Sequence, residues 1–490
     1  MRTATHPQLQ LGEIDIAGIK IDPRSRDDIP QLLRGLQYLY SDNALREEIF
    51  QILEKLAPIK VSTELGRPGM MWWKILVMGT LRLNLNCDYD RLQELVNHHN
   101  TIRQMLGHGF TDDDQTYSLQ TLKDNVQLFT PEILDEINQV VVRAGLKLKK
   151  KDCLRGRCDS FVVETDVHYP TDINLLFDAM RKTIALTADY AQMTQLDGWR
   201  QSQFNIRQVK RGYRAAQQIK RSTSKDSVKK QKQQDAIVRT HRDYIELARK
   251  FIQKSQTTLS TEVANITLAA VVKSLEIQAF IKHAERQIDQ IERRVIRGEK
   301  IPHDEKVFSL FQPHTEWISK GKAGVPVELG LKVCILEETQ GYILHHRVMQ
   351  KETDNQIAID ITTETQARYP GLKGCSYDKG FHSPENQTRL AKKLDCLVLP
   401  KKGRCNKTEK DRESSDEFRA SRRKHSAVES GINALEVHGL DKCLDHGITG
   451  FKRYVALAIV ARNIQKLGSE LIKKTRKQEQ RRRDRDKLAA

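Results

Sequence analysis

The sequence predicts a mixed α/β chain in which an all-α N-terminal region precedes a sheet domain, and that domain is interrupted by a long helical insertion. Three observations lead there. From Ile29 to about Leu146, apolar residues recur three and four apart, the spacing of amphipathic helices. Short β-rich runs begin only at Phe161 and return after Ile301-Pro302. Between them lie roughly 125 residues of helical texture, low in Gly and Pro and rich in Lys, Arg and Gln.

At 490 residues the chain exceeds one compact core, so about two to four domains are expected. An apolar share of 38% with 30% charged residues suits helices with wide solvated faces. No uncharged apolar run approaches the roughly 18 residues of a membrane span, and the N-terminus carries no apolar signal core. Membrane insertion and secretion are therefore not expected. The eight cysteines are scattered; Cys153 and Cys158 form the only close pair, and reduced thiols are expected rather than a zinc site.

Taken in order, residues 1–30 lack periodicity, contain three prolines and read as a flexible leader. Residues 31–150 hold several short helices divided by turn signals such as Gly66-Arg67-Pro68-Gly69, the texture of a helix-turn-helix module or a generic bundle. Trp72-Trp73 reads as helical core. Phe161-Val162-Val163-Glu164-Thr165-Asp166 is a first strand ending in a carboxylate. Residues 173–300 form the insertion, whose second half has near-heptad spacing and is expected to pair as a hairpin with its basic first half. Val325 to Glu337 and Gly341 to Met349 read as two strands around a turn. A helix follows from Asn355 to Thr365, then a strand from Leu372 to Tyr377 that ends at Asp378. Ser383-Pro384-Glu385 opens another helix, Cys396 to Pro400 is a fifth strand, and helices run from Asp416 to Leu435 and Phe451 to Leu467. The basic tail, residues 471–490, is expected to be disordered or to order on a partner.

The net charge of +18 is concentrated. Arg200 to Lys254 holds 16 Lys/Arg against 4 Asp/Glu, and Lys473 to Lys487 holds 9 against 3, so these two segments carry the whole excess. Positive charge gathered along helices and a tail is the footprint expected for a polyanion such as nucleic acid.

Strand, insertion, strand, strand, helix, strand, helix, strand, helix is the order of a ribonuclease-H-like fold. Residues 151–172 and 301–470 are expected to build that catalytic domain. Its metal-dependent site needs a carboxylate at the first strand, another just after the fourth and a third on a later helix, because two hard cations about 3.5 to 4 Å apart need shared anionic oxygens. Asp166, Asp378 and Glu429 fall at those positions. His168 and Asp172 lie beside Asp166, with structural roles the more natural reading.

The local motifs go further. Val163-Glu164-Thr165-Asp166-Val167-His168-Tyr169-Pro170-Thr171-Asp172 resembles the first-aspartate block of bacterial insertion-sequence transposases of the DDE class, and most of all the ISNCY group. Pro313 to Lys322 leading into Val327-Glu328-Leu329-Gly330 is similar to the entry of the second strand in that group. Tyr377-Asp378-Lys379-Gly380-Phe381 resembles the second-aspartate block, Arg423 to Ser430 the glutamate block, and Gly450 to Tyr454 with Arg462-Asn463 the helix that follows. The likeness covers roughly residues 30–170 and 305–470.

The resemblance implies a DNA transposase that binds terminal inverted repeats through its N-terminal helices and cleaves the element ends. It implies joining of the 3′-hydroxyls to target DNA by two-metal-ion phosphoryl transfer. Mg²⁺ is the implied cofactor, with Mn²⁺ as a substitute, and Asp166, Asp378 and Glu429 are the implied ligands. The implied partners are double-stranded DNA and further copies of the chain, a dimer at least, in bacterial cytoplasm at the nucleoid. One departure stands out. Better-studied relatives carry arginine four residues before the glutamate and lysine seven after; here these are His425 and Glu436. Helical spacing groups Arg422, His425 and Glu429, so Arg422 or His425 is expected to take the phosphate contact, and Lys320, Lys322 and Lys379 to touch the DNA backbone. A ribonuclease-H-like nuclease that does not join strands, and a catalytically dead DNA-binding derivative, are the alternatives.

Overall fold

The computed structural model describes residues 3–4, 14–57, 69–109, 115–149, 153–263, 266–319 and 326–489. The chain divides into two compact units, one of Met1–Asp166 with Glu316–Ala490 and one of Val167–Thr315.

The first unit begins with helices α1 (Asp28–Ser41), α2 (Asn43–Glu54), α3 (Trp72–Asn84), α4 (Tyr89–His98), α5 (Asn100–Met105), α6 (Leu119–Val126) and α7 (Pro131–Lys147). Their starts are well marked: Asp27, Asp42, Asp88, Ser118 and Thr130 each accept a first-turn amide, and Pro131 opens α7 where no amide donor is needed. Trp72 and Trp73 are buried, and the Trp73 indole donates to the Met105 carbonyl at 3.1 Å, so the pair is helical core. The described part of the leader is packed rather than loose. Ile16 and Ile19 are buried, and the Gln37 amide donates to their carbonyls at 2.9 and 2.8 Å.

Strand β1 (Leu154–Thr165) follows α7 and starts well before the run read from sequence. Asp166 ends the first part of this unit, and the second unit intervenes. It consists of helices α8 (Asp172–Met193), α9 (Ser202–Gln218), α10 (Ser227–Ser260) and α11 (Leu268–Ile291), with a π-helical turn at Glu292–Ile296. Instead of a two-helix hairpin, α8 joins α9, α10 and α11 around a core of Leu176, Met180, Ile184, Tyr244, Ile277 and Ala284. A long first helix rich in Leu, Ala and Met supplies that third packing face.

The first unit resumes with β2 (Glu316–Ser319), β3 (Val327–Glu338), β4 (Ile343–Val348), α12 (Asp354–Arg368), β5 (Leu372–Tyr377), α13 (Pro384–Lys393) and β6 (Cys396–Val398). Then come α14 (Lys407–Ser414), α15 (Asp416–His425), α16 (Ala427–Leu435), β7 (Lys442–Cys443) and α17 (Gly447–Ala489). One mixed sheet contains all seven strands, in the order β2-β3-β1-β5-β6, with β4 also on β3 and β7 also on β1. β3 is antiparallel to β1 and β4, while β5 and β6 run parallel to β1.

The N-terminal helices share one core with this sheet. A buried asparagine pair ties them together: Asn463 of α17 donates to Asn138 of α7 at 2.7 Å and accepts from the Ile343 amide of β4 at 3.0 Å. α1 and α17 cross with a glycine on each side. A Cβ at Gly35 would lie 2.2 Å from the Ile464 carbonyl oxygen, and one at Gly468 would lie 1.8 Å from that of Gln31. The basic tail, expected to be disordered or to order on a partner, continues α17 as helix to Ala489. Lys, Arg, Gln and Glu are good helix formers, and Gln480 donates to Asp484 one turn on at 2.8 Å. All eight cysteines are free thiols. Among the described residues no helix is long and apolar enough to cross a membrane.

Candidate metal centre

β1 and β5 run parallel with Cys158 opposite Tyr377, so the next residues along, Asp159 and Asp378, fall side by side. Alternation assigns faces. Cys158, Cys334 and Tyr377 face α12, where the Tyr377 hydroxyl meets Thr362 at 2.6 Å. Arg157, Asp159 and Ser376 belong to the opposite face, toward α15 and α16. There the Arg157 guanidinium donates to the Lys424 carbonyl at 3.3 Å, and Ser376 Oγ lies 2.9 Å from His425 Nδ1. Asp378 follows β5 directly, and its carboxylate accepts the Gly380 amide at 3.3 Å, capping a short turn over Lys379–Phe381.

Burial, and then the nearby Asp378, Asp354 and Glu429 carboxylates, push the Asp159 carboxyl up to about 7. Three other carboxylates thus act on Asp159 near the end of β5. Asp354, at the start of α12, accepts Ser160 Oγ at 2.7 Å and pairs with Lys332 at 3.0 Å. Asp378 and Glu429 are exposed, so this group of acids opens to solvent on one side.

The position of α16 depends on a close approach. A Cβ at Gly431 would lie 2.6 Å from Glu337 Oε1, so a larger residue there requires the Glu337 carboxylate to shift if α16, with Glu429 two residues earlier, is to stay this near β3. Glu337 is itself buried beside Arg157 at 3.2 Å; burial holds its carboxyl up to about 7 against the lowering pull of Arg157, Arg462 and Lys466. A cavity of about 250 Å³ lies next to this region, lined by Arg155, Arg157, Ser376, Ser421 and Lys424 among others.

Asp378 and Glu429 both lie within electrostatic reach of Asp159, whereas Asp166 lies apart from them. Asp166 lies seven residues further along the chain, roughly 23 Å from Asp159 at strand rise. Its half-exposed side chain pairs with Lys442 at 2.7 Å. The expected abutment of Asp166 on Asp378 is therefore corrected by the β1–β5 register. His168 pairs with Asp178 at 2.7 Å and Asp172 with Arg294 at 2.9 Å, both within the second unit.

Arg422, His425 and Glu429 do not share one continuous helix, because α15 ends at His425 and α16 starts at Ala427. His425 nonetheless lies within electrostatic reach of Asp378 and Glu429. Burial holds its imidazole low, and its Nε2 is buried without a hydrogen-bond partner. Arg422 and Lys379 are exposed near the acids. Lys320 and Lys322 lie outside the described residues.

Among the described residues, the group of His, Cys, Asp or Glu whose ligand atoms all lie within 4.8 Å of one another is Asp135 of α7 with His345 and His346 of β4. Such a set could hold an ion, but Arg368 Nη1 already sits 2.8 Å from Asp135 and 2.7 Å from His345 Nδ1. His345 Nε2 meets Glu364 at 2.7 Å. A guanidinium thus fills the role of the cation there. Comparison of the chain with protein-family models, curated proteins and solved structures finds no match.

Proposed function

We propose that the chain is a DNA transposase whose divalent-metal site is built from Asp159, Asp378 and Glu429. The register that sets Asp159 beside Asp378, with Glu429 within electrostatic reach, carries the reading. A buried carboxyl with other acids nearby is stabilised in its charged form by a multivalent cation, and oxygen-only ligands suit Mg²⁺ or Mn²⁺. The sheet supports it as well: three antiparallel strands β4-β3-β1, then β5 and β6 parallel to β1, with a carboxylate on the first strand and another just after β5, is the arrangement expected of a ribonuclease-H-like domain.

In this reading Asp159 and Asp378 are held by adjacent strands and Glu429 by α16, so the sheet sets the spacing of the first two and Gly431 that of the third. Bound Mg²⁺ would supply activation of the attacking water or 3′-hydroxyl and charge neutralisation at the leaving oxygen. Asp354, engaged by Lys332 and Ser160, holds the N-terminus of α12 against the Asp378–Phe381 turn. Lys379, Arg422 and His425 flank the acids and are placed to meet the scissile phosphate. The basic segments meet DNA backbone, and the chain acts in the bacterial cytoplasm as a dimer at least.

The test is strand transfer on duplexes carrying the ends of the DNA segment that encodes the chain, pre-cut to expose 3′-hydroxyls. Joined products in Mg²⁺ or Mn²⁺ that disappear in Asp378→Asn and Glu429→Gln are expected. Cleavage without joining would instead identify a nuclease, and neither activity a DNA-binding derivative.

A further inference from the structure

Several cations of the second unit are held in ion pairs. Arg249 pairs with Glu292 at 2.8 Å, Lys273 with Asp189 at 3.2 Å, Arg294 with Asp172 at 2.9 Å, and Arg293 gathers Asp289, Glu299 and Glu305. Helix α9 differs. Its sequence, SQFNIRQVKRGYRAAQQ, has four cations and no acid. Arg207, Lys210, Arg211 and Arg214 are all exposed, and among the described residues none has an ion-pair partner.

Their spacing of three, four and seven puts them on one stripe about 10 Å long, at 1.5 Å of rise per residue. Neighbours three and four apart on a helix repel when like-charged, so this stripe works against its own helix. The opposite face fixes the helix: Val209 and Ala216 are buried, Tyr213 stacks on Phe177 with ring centroids 5.2 Å apart, and a Cβ at Gly212 would lie 2.9 Å from Tyr244. The result is a rigid, unneutralised row of charge aimed outward, with Phe204, 42% exposed, one turn before it.

We propose that the outward face of α9 is a binding surface for the phosphate backbone of duplex DNA. The inference rests on DNA being the substrate and names the surface that holds it. Duplex DNA presents one charge per about 1.7 Å, so a 10 Å row of four cations is matched in length by several phosphates. A membrane surface fits less well, because a bilayer-binding helix needs a free apolar face and that of α9 is committed to the core of its own unit.

Binding of the full chain to a 30-base-pair duplex of arbitrary sequence is to be measured by fluorescence anisotropy in EDTA, from 50 to 300 mM salt. EDTA removes metal chemistry, so failure of the cleavage reading and failure of this surface are separable. Replacing Arg207, Lys210, Arg211 and Arg214 with Gln is expected to lower the slope of log K against log salt by about 3 to 4, at roughly 0.9 per neutralised phosphate. At 0.1 M salt the affinity falls by roughly tenfold or somewhat less for each phosphate left without its cation. The variant Arg207→Lys, Arg211→Lys, Arg214→Lys keeps the charge and is expected to keep the slope. Removing four exposed cations elsewhere (Lys20, Arg24, Arg26 and Lys282, each to Gln) is expected to change the slope by less than one. Helical circular dichroism equal to that of the parent confirms that the fold is intact; a glutamine variant that does not fold hands the decision to single Arg207→Gln and Arg211→Gln variants, each expected to lower the slope by about 0.9. An unchanged slope in folded α9 variants, a loss no larger than the control's, or α9-dependent binding to phosphatidylserine vesicles with α9-independent DNA binding would each overturn the proposal.

Discussion

The most direct perturbation compares Asp159→Asn with Asp166→Asn. Asp166 lies seven residues from Asp159, roughly 23 Å along an extended strand. Ligand oxygens sit about 2.0 to 2.6 Å from Mg²⁺ or Ca²⁺-sized ions, so one site cannot use both carboxylates. Removing the exposed Asp166–Lys442 pair costs about 0 to 1 kcal/mol. Asp159→Asn acts differently, because the folded chain holds that carboxyl at about 7 against an ordinary value of 3.8. A folded value above the unfolded one means that ionisation opposes folding, so metal-free stability falls as pH rises from about 4 to 7. At 1.36 kcal/mol per unit the shift of about three units bounds the effect at about 4 kcal/mol. In EDTA at pH 8, Asp159→Asn should therefore melt at or above the parent temperature, with no gain at pH 4. With Mn²⁺ at about a hundred times its Kd the parent gains about 2.7 kcal/mol, and Asp159→Asn should lose most of that gain. Thermal melts with and without Mn²⁺, beside cleavage assays, decide the matter. Cleavage should drop by about a thousandfold in Asp159→Asn, the equivalent of about 4 kcal/mol, and stay within about threefold in Asp166→Asn. The reverse pattern would refute the register argument.

Gly431→Val should displace α16 from Glu337 and reduce metal-dependent cleavage at least tenfold, while circular dichroism stays near that of the parent; unchanged cleavage would separate Glu429 from that close approach. Gly468→Ala meets a backbone oxygen that cannot rotate away, so urea unfolding should show a loss of about 1 to 3 kcal/mol or more. Burial, with Arg368 beside them, holds His345 down to about 3 and His346 to about 4. Folded values below the ordinary 6.5 mean that stability is full above that pH and falls as pH drops toward the folded values. Between pH 6.5 and 4.5 each histidine costs up to about 2.7 kcal/mol, and His346→Phe should flatten this decline by about one proton; urea midpoints at pH 7 and pH 5 measure it.

The placement of Asp378 and Glu429 in the fold was legible because local sequence frames them: a β-rich run ends at Tyr377, and a helical pattern surrounds Glu429. Asp159 was not, because the first half of β1 reads Leu-Arg-Gly-Arg-Cys-Asp-Ser, which lacks strand texture. Arg157 is tolerated inside the sheet only through Glu337 and the carbonyls of Glu338 and Lys424, all distant in sequence. One signal was available. The run Val325 to Glu337 is about twice as long as Phe161 to Asp166, and a long buried strand needs a partner of similar length. In the structure β1 and β3 each have 12 residues. Extending β1 backward would have placed Asp159 within the strand. The packing of the leader and the third layer of the insertion were hidden for the related reason that both depend on tertiary contacts.

The register also explains how a helical unit of this size can interrupt the sheet domain. β1 is paired with β3 from Gly156 to Glu164 and with β5 from Leu154 to Cys158, so hydrogen bonds on both edges fix Asp159 before the chain leaves at Asp166. The end of the strand is held again by β7 at Glu164 and Thr165. A one-residue slip would turn Asp159 away from Glu429 and move Val163, which is fully buried, to the opposite face of the sheet. Length added after Asp166 leaves every one of those pairings in place. Had Asp166 been a ligand, the insertion would begin at the proposed site itself. With Asp159 in the proposed role, several residues of paired strand separate the acids from the junction, and the sheet keeps their spacing.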